Sequence, residues 1–226
     1  MNKIEKTAYT LDIESTLKLL ESVPINWKNQ LCVTSRTGND LLDGVGSIND
    51  YSDSNERDFN KLNSFFKNTD IERLLSSISQ SGYSYGRVRL MKLNPKTTYS
   101  YHMDTETRLH FALDTNQDNM FIIDDEVFRI PSDGFGYHMD TTKYHTAINC
   151  SNSIRIHLVI DLLIPVVKIK ELYDTSYFLL NRRLTQKEFN DWLIETKPMT
   201  ETERMDYYFI EDTHVIEMDQ EKELSN

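Results

Sequence analysis

The residues best suited to chemistry lie in a five-letter stretch, YHMDT at 101–105, which recurs letter for letter at 137–141. On an extended strand, residues i and i+2 point to one face, so His-x-Asp presents an imidazole and a carboxylate side by side. That pair supplies two of the three ligands of a two-imidazole, one-carboxylate site for non-haem Fe(II), whose other positions stay open for substrate and dioxygen. The third ligand has to come from a distant histidine on a neighbouring strand. His102 and Asp104 are followed by His145, and ten residues beyond it Arg155 stands in the run SIRIHLVIDL. A guanidinium there suits the far carboxylate of a bidentate 2-oxo dicarboxylate. Alone, His-x-Asp is a weak signal, because chance supplies on the order of half a copy in a chain with six histidines. The second copy is open to three readings: a repeat, a second site or coincidence. The residues that follow the two copies, ETRLHF and TKYHTA, diverge, so the repeat reading fails.

The elements that must position these side chains can be read from periodicity. From Tyr83 onward apolar residues alternate, in short runs such as YGRVRLMKL, YSYHMD, RLHFALDT, NMFIID and GFGYHMD, separated by the turn-formers NPK, TNQDN, PSDG and CSNS. Short strands at such spacing predict an antiparallel sandwich or barrel, with the jelly roll a natural candidate. Upstream, apolar residues at helical spacing predict helices over 11–22, 54–66 and 69–79, the last opening on the capping box Thr69-x-x-Glu72. Helical signals return at 184–196, with a shorter turn from Thr200. The expected plan is one domain over 1–226: a helical N-terminal part (1–84), a mainly β core (85–166) and a helical C-terminal extension (167–226). The polar, Gly-containing segment 39–54 reads as a loop of functional length.

Bulk properties narrow the function classes. A formal net charge of −11 argues against nucleic acid, whose binders carry a basic face. The longest apolar run, IHLVIDLLIPVV, carries Asp161 and is too short to span a bilayer, so no membrane role is expected. Cys32 and Cys150 make neither a disulfide framework nor a metal knuckle, and the N-terminus shows no secretory signal, which suits a cytoplasmic protein.

Order, spacing and residue type together go further. R-x-R-L-x-x-L-x-P from Arg87, H-x-D at 102–104, R-L-H at 108–110, T-N at 115–116, D-x-x-x-x-H-x-x-x-N from Asp140 and R-x-H-L-x-x-D from Arg155 resemble the aspartyl/asparaginyl β-hydroxylase-like family. These are Fe(II)- and 2-oxoglutarate-dependent dioxygenases that include proline hydroxylases, and the resemblance spans about residues 85–161. It implies a double-stranded β-helix (jelly-roll, cupin-like) core with flanking helices. It also implies iron ligands His102, Asp104 and His145, and a co-substrate carboxylate on Arg155, with Arg108, His110, Met91 and His157 as further co-substrate contacts. The second YHMDT falls where the family has an apolar run ending in Asp. Asp140 then fixes a loop, His138 is structural, and the duplication is coincidence.

The activity implied is hydroxylation of an amino-acid side chain, free (such as proline) or in a peptide, with 2-oxoglutarate and dioxygen consumed and succinate and carbon dioxide released. The carboxylate at Asp104 argues against halogenation, for which that position is vacated. The alternatives are a catalytically silent jelly roll that binds metal or ligand, and a cupin-like hydrolase or isomerase, in which Arg155 has no clear task. Segment 39–54 is expected to be mobile and to close over the iron when substrate binds.

Overall fold

In the computed structural model the chain divides into two units, Met1–Leu163 and Ile164–Asn226. The structure describes residues 3–51 and 54–163, all in the first unit. The helices expected at 184–196 and from Thr200, and with them the C-terminal extension, lie outside the described residues.

Twelve strands and two α-helices make up the described chain. In order they are β1 (Ile4–Thr10), α1 (Ile13–Glu21), β2 (Gln30–Cys32), β3 (Thr34–Ser35), β4 (Lys61–Leu62), α2 (Asp70–Gln80), β5 (Ser84–Leu93), β6 (Thr97–Thr98), β7 (Thr107–Asp114), β8 (Asn119–Ile123), β9 (Glu126–Phe128), β10 (Phe135–Met139), β11 (His145–Asn149) and β12 (Arg155–Leu163). A six-stranded sheet, β1-β10-β7-β12-β5-β2, faces a four-stranded one, β6-β11-β8-β9, and every pairing is antiparallel. This is the jelly-roll sandwich that the alternating pattern predicts.

The six-stranded sheet is buried on both sides, and its two faces differ in chemistry. Leu90 on β5, Leu109 and Phe111 on β7, and Leu158 and Ile160 on β12 join a core with Ile71, Leu74, Leu75 and Ile78 of α2. The α2 residues recur at i, i+3, i+4 and i+7, one apolar stripe on a helix with polar residues elsewhere. The opposite face carries Arg87, Arg89, Met91, Arg108, His110, Arg155, His157 and Asp161, and it turns toward the smaller core of Phe121, Ile123, Met139 and Ala147. One face holds the fold together and the other lines the site.

The N-terminal region departs from its mainly helical expectation. Segment 54–66 is not a helix: it forms two 3-10 turns, Glu56–Phe59 and Ser64–Phe66, around β4, with Phe59 and Phe66 fully buried. The anchoring of two phenylalanines in the core, rather than continuous helical hydrogen bonding, sets that path. Residues 4–10 add an edge strand to β10. The box at Thr69 also differs, since the Thr69 hydroxyl donates to the Phe66 carbonyl while Glu72 accepts from the backbone N–H of Asn68, at 2.5 Å. No helix among the described residues is long and apolar enough to cross a membrane.

Candidate metal centre and cavity

The strand expected over 99–104 does not form: β6 ends at Thr98, and the segment keeps only a single bridge at His102. There His102 and His145 exchange both backbone hydrogen bonds, at 3.0 and 2.7 Å. This pairing, not a continuous ladder, brings the two imidazoles together, with ring centroids 4.5 Å apart. The chain then turns, and the Asp104 N–H donates to the Thr141 carbonyl at 2.9 Å. The carboxylate lies 3.6 Å from His102 Nε2 and 3.2 Å from His145 Nε2. Potential ligand atoms of the three residues all lie within 4.8 Å of one another.

Both imidazoles are fixed in one tautomer. Nδ1 of His102 lies 2.6 Å from the Ser100 carbonyl, and Nδ1 of His145 lies 2.9 Å from the Lys143 carbonyl. A carbonyl only accepts, so each Nδ1 carries the proton and each Nε2 keeps its lone pair for a metal. Burial pushes the Asp104 carboxyl up, but Arg108 and the two imidazoles outweigh it and hold the group far below the usual carboxylate range. Two Nε2 atoms and an ionised carboxylate make a donor set that fits a divalent first-row ion such as Fe(II). Side-chain exposure falls from 36% at His102 through 17% at Asp104 to 5% at His145, so the cluster opens to solvent on the His102 side.

Between the sheets lies a cavity of about 470 Å³, whose wall includes the three candidate ligands together with Met91, His110 and Arg155. Arg155 is 4% exposed, stacks over the Phe121 ring at 4.6 Å, and has a buried NH1 with no partner. Burial without a facing carboxylate pushes it down to about 10, still charged at neutral pH. His110 also lines the cavity, and both its ring nitrogens are buried without partners. Burial, then the neighbouring Arg155, holds its pKa well below the ordinary 6.5. His157 is equally buried and neutral, but it packs 5.8 Å from both His110 and Phe121 and does not line the cavity.

Arg108, expected at the co-substrate, lines the cavity too, yet it is already engaged. Its NH1 meets Asp104 Oδ2 at 2.6 Å and its Nε donates to Asp161 Oδ1 at 2.5 Å. Asp161 also accepts from Arg89 at 2.9 Å, while Arg87 pairs with Glu56 through two hydrogen bonds, at 2.7 and 2.5 Å. This buried charge network was missed in the sequence reading, although the R-x-R spacing of Arg87 and Arg89 on one strand face was its signal.

His138 lies on β10 next to Met139, so its side chain points away from the face on which Met139 lines the cavity. Asp140 fixes a turn, accepting from the Thr142 N–H and hydroxyl at 3.2 and 2.5 Å. Gly46, Ser47, Ile48 and Asn49 of the 39–54 loop stand in the cavity wall. That stretch is tied to the sandwich: Gly46 donates to Gln30 and accepts from Arg87 and Arg89.

A jelly roll whose inner cavity joins a His-Asp-His cluster to a buried, unpaired arginine has the layout of a mononuclear-iron oxygenase. The chain belongs to the aspartyl/asparaginyl β-hydroxylase family, which it matches over residues 50–165. It is accordingly a 2-oxoglutarate-dependent dioxygenase of the hydroxylase type, with Fe(II), 2-oxoglutarate and dioxygen as its reactive partners. No curated protein matches the chain. Among solved structures it is similar to the viral collagen prolyl hydroxylase of Paramecium bursaria Chlorella virus-1, at 11% identity over 71% of this chain and 96% of that one, with a TM-score of 0.44. It is similar to an oxidoreductase of the 2OG-Fe(II) oxygenase family from Burkholderia pseudomallei, at 12% identity over 66% and 76% of the two chains, with a TM-score of 0.42. It is also similar to AerE from Microcystis aeruginosa, at 18% identity and a TM-score of 0.31, over 36% of this chain and only 37% of that one.

Proposed function

We propose that His102, Asp104 and His145 hold the Fe(II), that Arg155 anchors the far carboxylate of 2-oxoglutarate, and that the chain hydroxylates an amino-acid side chain, free or within a peptide. The observation that carries this reading is the shared cavity: a preformed three-ligand cluster and a buried guanidinium with an unpartnered nitrogen line one space. An unpaired buried charge is costly, and a bound carboxylate is its natural counterpart. When bound, the iron would supply the activation of dioxygen that inserts oxygen into an unactivated C–H bond.

The chain's own residues do the rest. Ser100 and Lys143 carbonyls orient the imidazoles, Arg108 keeps Asp104 ionised, and His110, neutral and unpartnered, offers the co-substrate a hydrogen bond. Met91 and Phe121 make part of the wall apolar, which limits water around the reacting groups. His157 supports Phe121 and His110 from behind the wall. The family's description as aspartyl/asparaginyl β-hydroxylases supports an amino-acid side chain as the substrate. A second reading, a silent jelly roll, finds no observation in its favour, since the full ligand set and the arginine are both present.

The test is a panel of free proline, aspartate and asparagine and of short peptides containing them, incubated with Fe(II), 2-oxoglutarate and air and read by mass. A gain of one oxygen on a panel member, matched by succinate, supports the assignment. Succinate formed with every panel member left unmodified would remove amino-acid side chains as the target.

A further inference from the structure

We propose that Asp161 is a positioning residue for the metal-holding carboxylate: it acts through Arg108 on Asp104 and, through Arg89, ties that setting to the Gly46 turn in the cavity wall. This rests on the reading that Asp104 holds Fe(II).

Asp161 sits on the inner face of β12, directly opposite Arg108 in the sheet register and 1% exposed. A carboxylate at such a depth persists only if its charge is answered at close range. Two arginines answer it on different oxygens: Arg108 Nε reaches Oδ1 at 2.5 Å, and Arg89 NH2 reaches Oδ2 at 2.9 Å. Arg87 stands further off, with Nε 3.9 Å away, and is already matched by Glu56. Asp161 therefore belongs to Arg89 and Arg108.

A guanidinium is planar and rigid, so gripping Nε also aims the rest of the fork. With Nε of Arg108 on Asp161, NH1 is delivered to Asp104 Oδ2 at 2.6 Å. Asp104 needs such a hold. It follows the single bridge at His102 on an irregular turn, and a carboxylate rotates about its last torsion in a broad well. Engaging Oδ2 turns Oδ1 to the His102 side, 3.6 Å from Nε2. At the other end, Arg89 NH1 donates to the Gly46 carbonyl at 3.2 Å, beside Arg87 NH1 at 2.9 Å. Gly46–Arg89–Asp161–Arg108–Asp104 is one continuous path of hydrogen bonds and ion pairs, from the exposed loop through the buried Arg89 and Asp161 to the metal ligand.

The experiment compares wild type, Asp161→Asn, Arg108→Gln and the double variant, with Mn(II) as the probe, in titration calorimetry well below each melting temperature. Partners that orient metal ligands typically contribute about 10–100-fold in affinity, and Asp161→Asn is expected to weaken Mn(II) by that factor. Arg108→Gln should weaken it similarly. Because Asp161 acts through Arg108, adding Asp161→Asn to Arg108→Gln should cost less than about twofold more. Hydrogen exchange at amides 44–50 should quicken in Asp161→Asn. Wild-type affinity in Asp161→Asn, or losses that multiply in the double variant, would overturn the positioning role. Unchanged exchange at 44–50 would overturn its loop arm. Should Asp161→Asn not fold, Arg108→Lys carries the same question, since it keeps the charge but cannot grip both carboxylates, and undiminished Mn(II) affinity there counts against the proposal. If instead His145→Ala binds Mn(II) as the wild type does, the reading of the cluster itself fails, and Asp161 with it.

Discussion

At His102 and His145 the informative atom is Nε2, which both rings turn toward the Asp104 carboxylate. Each ring is held by its Nδ1 proton on a backbone carbonyl, which leaves both Nε2 lone pairs and the Asp104 carboxylate converging. Truncating any of the three should abolish stoichiometric Fe(II) uptake in an anaerobic titration. His138→Ala should leave it intact, because His138 points away from the cavity face. Retained iron in His102→Ala with loss in His138→Ala would mean that the other YHMDT is the metal-holding copy. Arg155→Ala should weaken 2-oxoglutarate by about 2–5 kcal/mol in equilibrium binding, much of it the penalty of an unpaired buried carboxylate. Arg155→Lys should recover only part, since a point charge lacks the fork. If affinity is unchanged in Arg155→Ala, the carboxylate has another host.

At the scale of elements, the sandwich was legible because its strands keep their alternation and are divided by turn residues that cannot continue a ladder. What escaped was set by long-range contacts. The edge strand β1 is mostly charged and polar, and only its pairing with β10 makes it a strand. Phe59 and Phe66 suggested a helix by spacing but are pinned to the core from 3-10 turns. Arg87 and Arg89 alternate with Gly86, Val88 and Leu90 as a solvated face would, yet that face is the cavity wall. The polar face of a strand does not say whether water or a ligand lies against it. Close packing is testable at β10. A Cβ on Gly136 would stand 2.6 Å from Cζ of Phe111, so Gly136→Ala should destabilise the protein by about 1–3 kcal/mol in denaturant titration. No loss would mean that Phe111 moves freely. Deleting residues 43–48 removes part of the cavity wall, so 2-oxoglutarate should still be consumed while hydroxylated product falls. Preserved coupling in that deletion would place the closing segment elsewhere.

For the whole molecule, two buried neutral histidines leave a signature in stability against pH. Their folded pKa values lie well below 6.5, so the unfolded chain binds more protons as pH falls. Stability is then full above about pH 6.5 and declines below it, by up to about 1.36 kcal/mol per pH unit for each histidine. Asp104, held low in the fold, adds to the loss at lower pH still. His157→Gln should flatten the slope between about pH 6 and pH 5 by about one such increment, and an unaltered slope would show that His157 takes up its proton in the folded state. The sharpest test of the account as a whole is conversion of 2-oxoglutarate to succinate by the Fe(II)-loaded protein in air, without added substrate, beside Asp104→Ala and Arg155→Ala. The account predicts slow succinate formation by the wild type, none by Asp104→Ala, and a much raised 2-oxoglutarate requirement in Arg155→Ala. Wild-type protein that makes no succinate, or Asp104→Ala that makes as much as the wild type, would contradict it.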